Sequence, residues 1–84
     1  MYYTYVLYSV KDRKHYIGCT PDLQARLESH QKGLVTSTVY RRPLKLIYYE
    51  ACRTHKDALR REKYLKTHYG KMFLDKRLKS DSRG

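Results

Sequence analysis

Apolar and polar positions change rhythm along the chain, and the changes mark out its elements. Residues 2 to 10, "YYTYVLYSV", are dense in β-branched and aromatic types and read as a strand. "KDRK" is a polar turn, and "HYIG" is the partner strand of a hairpin, ending at Gly18. A helix follows, with Thr20 as N-cap, Pro21 at the first helical position and Asp22 in the first turn. Gly33 stops it. Residues 34 to 43 are a polar, basic loop closing with "RRP", and "LKLIYYEA" is a third strand. Thr54 opens a second helix, with Asp57 completing a capping box. That helix should run to about Tyr69 and stop at Gly70, and a shorter one, "KMFLDKRLK", follows. The predicted order is β-β-α-β-α-α: an α/β (α+β) domain with a small antiparallel or mixed sheet and helices packed on it.

Two helices break their own pattern. In "THKDALRREKYLKTHYG", Ala58, Leu65 and Tyr69 share one stripe, and Glu62 falls inside it. A carboxylate on the core side is costly unless something satisfies it. Helix geometry leaves two readings open, a salt bridge to a neighbouring cation or a role as metal ligand or general base. In the first helix, Leu23 and Leu27 define the apolar stripe. His30 falls between them with Arg26 to one side, one turn away, so the two heads can converge. An arginine at a core edge often snorkels. Beside tyrosines and an off-pattern glutamate, however, the set is what phosphodiester chemistry needs: a cation for the phosphate and a carboxylate for a divalent metal.

Composition narrows the class. With 84 residues the chain holds one domain, expected over residues 1–79, with 80–84 a disordered tail. Nineteen Lys and Arg against eight acids give a net charge of +11, which favours a polyanion and above all nucleic acid. Ten tyrosines against one Phe and no Trp keep hydroxyls beside the aromatic faces. Cys19 and Cys52 fit neither a zinc pattern nor a disulfide framework and read as thiols in a reducing cytosol. The N-terminus lacks the features of a signal peptide, and no segment is long enough to span a membrane, so a cytoplasmic protein is expected.

"YTY" at 3 to 5, "YIG" at 16 to 18, then Arg26, His30 and Glu62 resemble the GIY-YIG nuclease domain, closest in look to its small stand-alone bacterial members of the YhbQ/YazA type. The likeness spans nearly the whole chain. Tyr5 lies eleven positions before Tyr16, Arg26 ten after Tyr16, and His30 four after Arg26. The resemblance implies a three-stranded antiparallel sheet flanked by helices. It also implies a DNA endonuclease of low sequence specificity or directed by DNA structure, using one divalent cation, magnesium or manganese, held by Glu62. Arg26 would grip the scissile phosphate; one motif tyrosine, by position Tyr5 in preference to Tyr16, would help deprotonate the attacking water, and the other would position water or phosphate. His30 would assist proton transfer or hold a tyrosine hydroxyl. A tyrosine pKa near 10 is high for a base, so metal and cation neighbours should lower it.

The sequence departs from the family pattern in three places. The first motif is Tyr-Thr-Tyr rather than Gly-Ile-Tyr, Cys19 stands where some members carry a lysine, and the chain contains no asparagine. Family nucleases with defined targets usually carry a separate recognition domain. Here specificity would come from nucleic-acid structure or a protein partner. Arg41, Arg42, Arg60, Arg61, Lys63 and Lys66 are the expected phosphate contacts. The alternatives are a nucleic-acid-binding module on the same fold with little or no catalysis, and an RNA-binding or ribosome-associated protein.

Overall fold

Alternation along the first strand decides the layering. The structure, a computed structural model, describes residues 1–79; the tail expected over 80–84 lies outside them. Strands β1 (Tyr2–Ser9), β2 (His15–Thr20) and β3 (Leu44–Cys52) form one antiparallel sheet in the order β2-β1-β3. Helices α1 (Leu23–Gln31), α2 (His55–Leu65) and α3 (His68–Arg77) pack against it, with a short 3-10 turn at Val39–Arg41. The central strand is buried on both faces, with Thr4 to Leu7 all inside, as a strand sandwiched between helices must be. Tyr5 and Leu7 pack with Leu44, Leu23 and Leu27 under α1. Val6 and Ile17 pack with Leu65, Leu74 and Leu78 under α2 and α3. The polar Thr4, on the second face, is satisfied by donating its hydroxyl to the Ala58 carbonyl at 2.7 Å.

Local signals fix most boundaries, with two corrections. Strand β2 continues past Gly18 to Thr20, which stays in the ladder opposite Tyr3. The α1 N-cap is therefore Asp22 rather than Thr20, and its carboxylate accepts the Ala25 N–H at 3.1 Å. The other end is as expected: Gly33 has φ +77°, Gly33 N donates to His30 O and Leu34 N to Ser29 O, a Schellman stop.

The larger correction is at the end of α2. That helix stops at Leu65, not Tyr69, and Thr67 caps a new helix by accepting the Gly70 N–H at 3.1 Å. Gly70 lies inside α3, because a Cβ there would sit 2.1 Å from Tyr64 O and 2.5 Å from Leu65 Cα. It is a packing glycine that lets α3 cross the end of α2. Tyr69, assigned to the buried stripe, is consequently 71% exposed. Among the described residues no helix is long and apolar enough to cross a membrane.

Candidate active site

Tyr5 anchors the site. It stands on β1 directly opposite Gly18 of β2, and its ring lies across the space where a Gly18 side chain would be. The Tyr5 hydroxyl meets two side chains of α1: His30 Nε2 at 2.9 Å and Arg26 Nε at 3.4 Å. One helical turn separates Arg26 from His30, which is how a single helix delivers both to one oxygen. The far side of the His30 ring is held too, with Nδ1 2.7 Å from Thr38 Oγ1. Tyr16 closes the group, its ring edge-on to His30 at 5.2 Å and its hydroxyl 3.4 Å from Ser37 Oγ.

Burial sets the protonation states. His30 is 1% exposed. Removal from water, aided by the Arg26 charge, pushes its pKa down to about 4, so the ring is neutral at physiological pH. Tyr5 moves the opposite way from the sequence expectation. Burial raises its pKa, outweighing the Arg26 hydrogen bond that lowers it. The group is therefore a neutral phenol beside a neutral imidazole, with Arg26 as the cation.

Glu62 comes from α2, which packs on β1 and β2 from the other face of the sheet. It is half-buried, and Lys66 Nζ engages its carboxylate at 3.0 Å. Burial raises the pKa of both the Tyr5 hydroxyl and the Cys19 thiol, and the Glu62 charge adds a smaller push in the same direction. Four of the five expected catalytic residues thus form one contact group, and Glu62 stands outside it on α2.

Among the described residues, no three His, Cys, Asp or Glu side chains gather as a metal cage. A lone carboxylate does not fit zinc or calcium, which want several protein ligands. It does fit magnesium, which keeps several waters and takes one or two carboxylates with the rest from substrate phosphate.

The expected phosphate contacts divide. Arg41 pairs with Asp12 at 2.6 Å and also reaches the His15 carbonyl. Arg42 donates to the Val39 and Gln31 carbonyls. Arg61 forms a two-point bridge to Glu50, both contacts 2.8 Å, and lies over the Phe73 ring. These three guanidinium groups hold protein acceptors and tie elements together. Arg60, loosely paired with Asp57 at 3.5 Å, and Lys63 are exposed on α2. Sequence reasoning missed Thr38 and Ser37. They reach the site from a loop without periodicity, so no spacing rule could flag them.

Comparison with known proteins gives the chain's family. The GIY-YIG catalytic domain matches residues 1–78. A UPF0213 protein of Staphylococcus aureus strain Mu3 is 38% identical over 68 residues, covering 77% of this chain and 83% of the relative; that of strain Mu50 matches to the same extent. The solution NMR structure of a UPF0213 protein from Bacillus halodurans superposes with a TM-score of 0.53 at 31% identity, covering 88% of this chain and 82% of that one. Matched by the family model over nearly its whole length and by these relatives, the chain belongs to the GIY-YIG family and sits among its UPF0213 proteins.

Proposed function

We propose that this protein is a metal-dependent endonuclease that hydrolyses DNA phosphodiester bonds, with low sequence specificity or guided by DNA structure. The observation that carries this reading is the Tyr5 hydroxyl held between His30 Nε2 and Arg26 Nε. A hydroxyl fixed between a neutral imidazole and a guanidinium is placed for proton transfer next to an anion.

Arg26 has donors beyond the Nε that engages Tyr5, and the guanidinium fork suits a phosphate. Tyr5 is not a base by low pKa. It can take a proton from water only while handing its own to His30 Nε2, 2.9 Å away; burial disfavours the charged ring, so the negative charge of the bound phosphate must offset that cost. Tyr16 borders the same space and orients water or phosphate. Glu62 would hold magnesium, which supplies Lewis-acid stabilisation of the phosphate's developing charge. Lys66 must first release that carboxylate. An exposed i,i+4 pair is worth only about 0.3–0.5 kcal/mol, so the exchange is cheap.

Replacing Tyr5 by Phe keeps the ring and removes the relay. Single-turnover cleavage should fall by about 10²–10⁴-fold, while DNA binding in a gel-shift titration stays within twofold of the parent. An unchanged cleavage rate would remove Tyr5 from the chemistry.

A further inference from the structure

We infer that Thr38 is a positioning residue that locks His30 in the Nδ1–H tautomer, leaving the Nε2 lone pair aimed at the Tyr5 hydroxyl. The inference deepens the nuclease reading and rests on it for its catalytic consequence, but the tautomer itself is a property of the folded chain.

Hydrogen-bond accounting carries the assignment. Among the described residues the Tyr5 oxygen has two partners, and Arg26 Nε can only donate. The phenolic proton therefore has one acceptor within reach, His30 Nε2, which must be unprotonated. A neutral ring then carries its proton on Nδ1 and donates it to Thr38 Oγ1 at 2.7 Å. The Thr38 hydroxyl in turn points its proton at the Val35 carbonyl, 3.5 Å away. Every donor in this chain meets an acceptor. The opposite tautomer would place two N–H donors on the Tyr5 oxygen and strand the phenolic proton. Both Thr38 and His30 are essentially inaccessible to water, so the Nδ1 side of the ring has Thr38 Oγ1 as its one partner among the described residues.

The loop that brings Thr38 is fixed at several points. Ser9 Oγ donates to the Arg41 carbonyl at 2.6 Å, and Arg41 itself is tied to Asp12. Arg42 bridges Gln31 and Val39, with its guanidinium packed against Gly33 so closely that a Cβ there would lie 2.8 Å from it. Arg41 and Arg42 thus brace the segment that supplies Thr38. Outer residues of this kind typically change activity 10–100-fold when removed.

The test uses the full chain with ¹⁵N-labelled histidine and long-range ¹H–¹⁵N spectra, which tell the two ring nitrogens apart. The parent and Thr38→Ser should show His30 as the Nδ1–H form. Thr38→Val and Thr38→Ala, which lack the acceptor oxygen, should populate the Nε2–H form. On cleavage, these two should lose about 10–100-fold in kcat at unchanged KM, and Thr38→Ser should recover most of it. An Nε2–H ring in the parent overturns the inference, whether or not the variants fold. So does an unaltered Nδ1–H ring in both the Val and Ala proteins. Should the parent cut no DNA, the spectra still decide the role of Thr38, and the failure falls on the nuclease reading alone.

Discussion

Gly18 shows how much one missing side chain can decide. The residue sits opposite Tyr5 in the sheet, and a Cβ built on it lies 2.5 Å from the Tyr5 Oη and 2.6 Å from Cζ. Tyr5 is fully buried and pinned by His30, so it cannot swing aside. Gly18→Ala is expected to cost about 1–3 kcal/mol of stability by overpacking, read from a urea unfolding midpoint. It should also abolish cleavage, because the Tyr5 hydroxyl is driven from its partners. A variant with parental stability and activity would mean that the ring is not packed there.

His30 gives the residue scale its pH signature. Its folded pKa is about 4 against 6.5 for a free imidazole, so as pH falls below about 6.5 the unfolded chain takes up the proton first. Stability is then lost between about pH 6.5 and 4, by up to roughly 3 kcal/mol. Partial loss of hydration lowers the pKa of the exposed His15 in the same direction. Asp12, held at about 2 by Arg41, loses its stabilising contribution only below about pH 4. His30→Gln should therefore flatten the slope of unfolding free energy from pH 6.5 to 4.5 without removing it. In an NMR titration the parent His30 should stay neutral down to about pH 5; an inflection near 6.5 would contradict its burial.

At the scale of elements, the sequence was legible wherever a local signal had one meaning. The β-rich run at 2 to 10, Thr54 as a cap and Gly33 as a stop all hold, because each is settled by neighbours a few residues away. Gly70 had two meanings. As a helix stop it would tolerate alanine with a small loss, whereas as a contact against Tyr64 O it would not. Gly70→Ala is expected to destabilise by about 1–3 kcal/mol or more, beyond any gain in helix propensity, and thermal unfolding measures it. A neutral or stabilising result would restore the reading as a stop. Arg61 was misleading for a related reason. It looks like one more cation in "RREKYLK", yet it grips Glu50 on β3 and so fixes α2, and with it Glu62, against the sheet. A partner eleven residues away in sequence leaves no trace in a helical pattern.

For the molecule as a whole, charge points towards a class of partner and the resemblance towards a set of residues. The +11 balance points to a polyanion without placing it. Spacing showed that Arg26 and His30 share a helix face. It could not show that they meet on Tyr5, because that requires the register between β1 and β2 and the leaning of Tyr5 over Gly18. Glu62 was legible as an oddity on a core-side stripe. What it serves depends on α2 crossing β1 and β2, which only the assembled fold displays. Arg41, Arg42 and Arg61 engage protein acceptors, and the exposed Arg60 and Lys63 on α2 are left as candidate contacts for a nucleic-acid backbone.

The central claim is that these parts make a metal-dependent nuclease. Purified protein should be incubated with supercoiled, branched and single-stranded DNA, with and without magnesium, beside the Glu62→Ala variant. The account predicts cutting by the parent only when magnesium is present, and none by Glu62→Ala although it still binds DNA. Binding without cutting by either protein on all three substrates would contradict it and leave the fold as a nucleic-acid-binding scaffold.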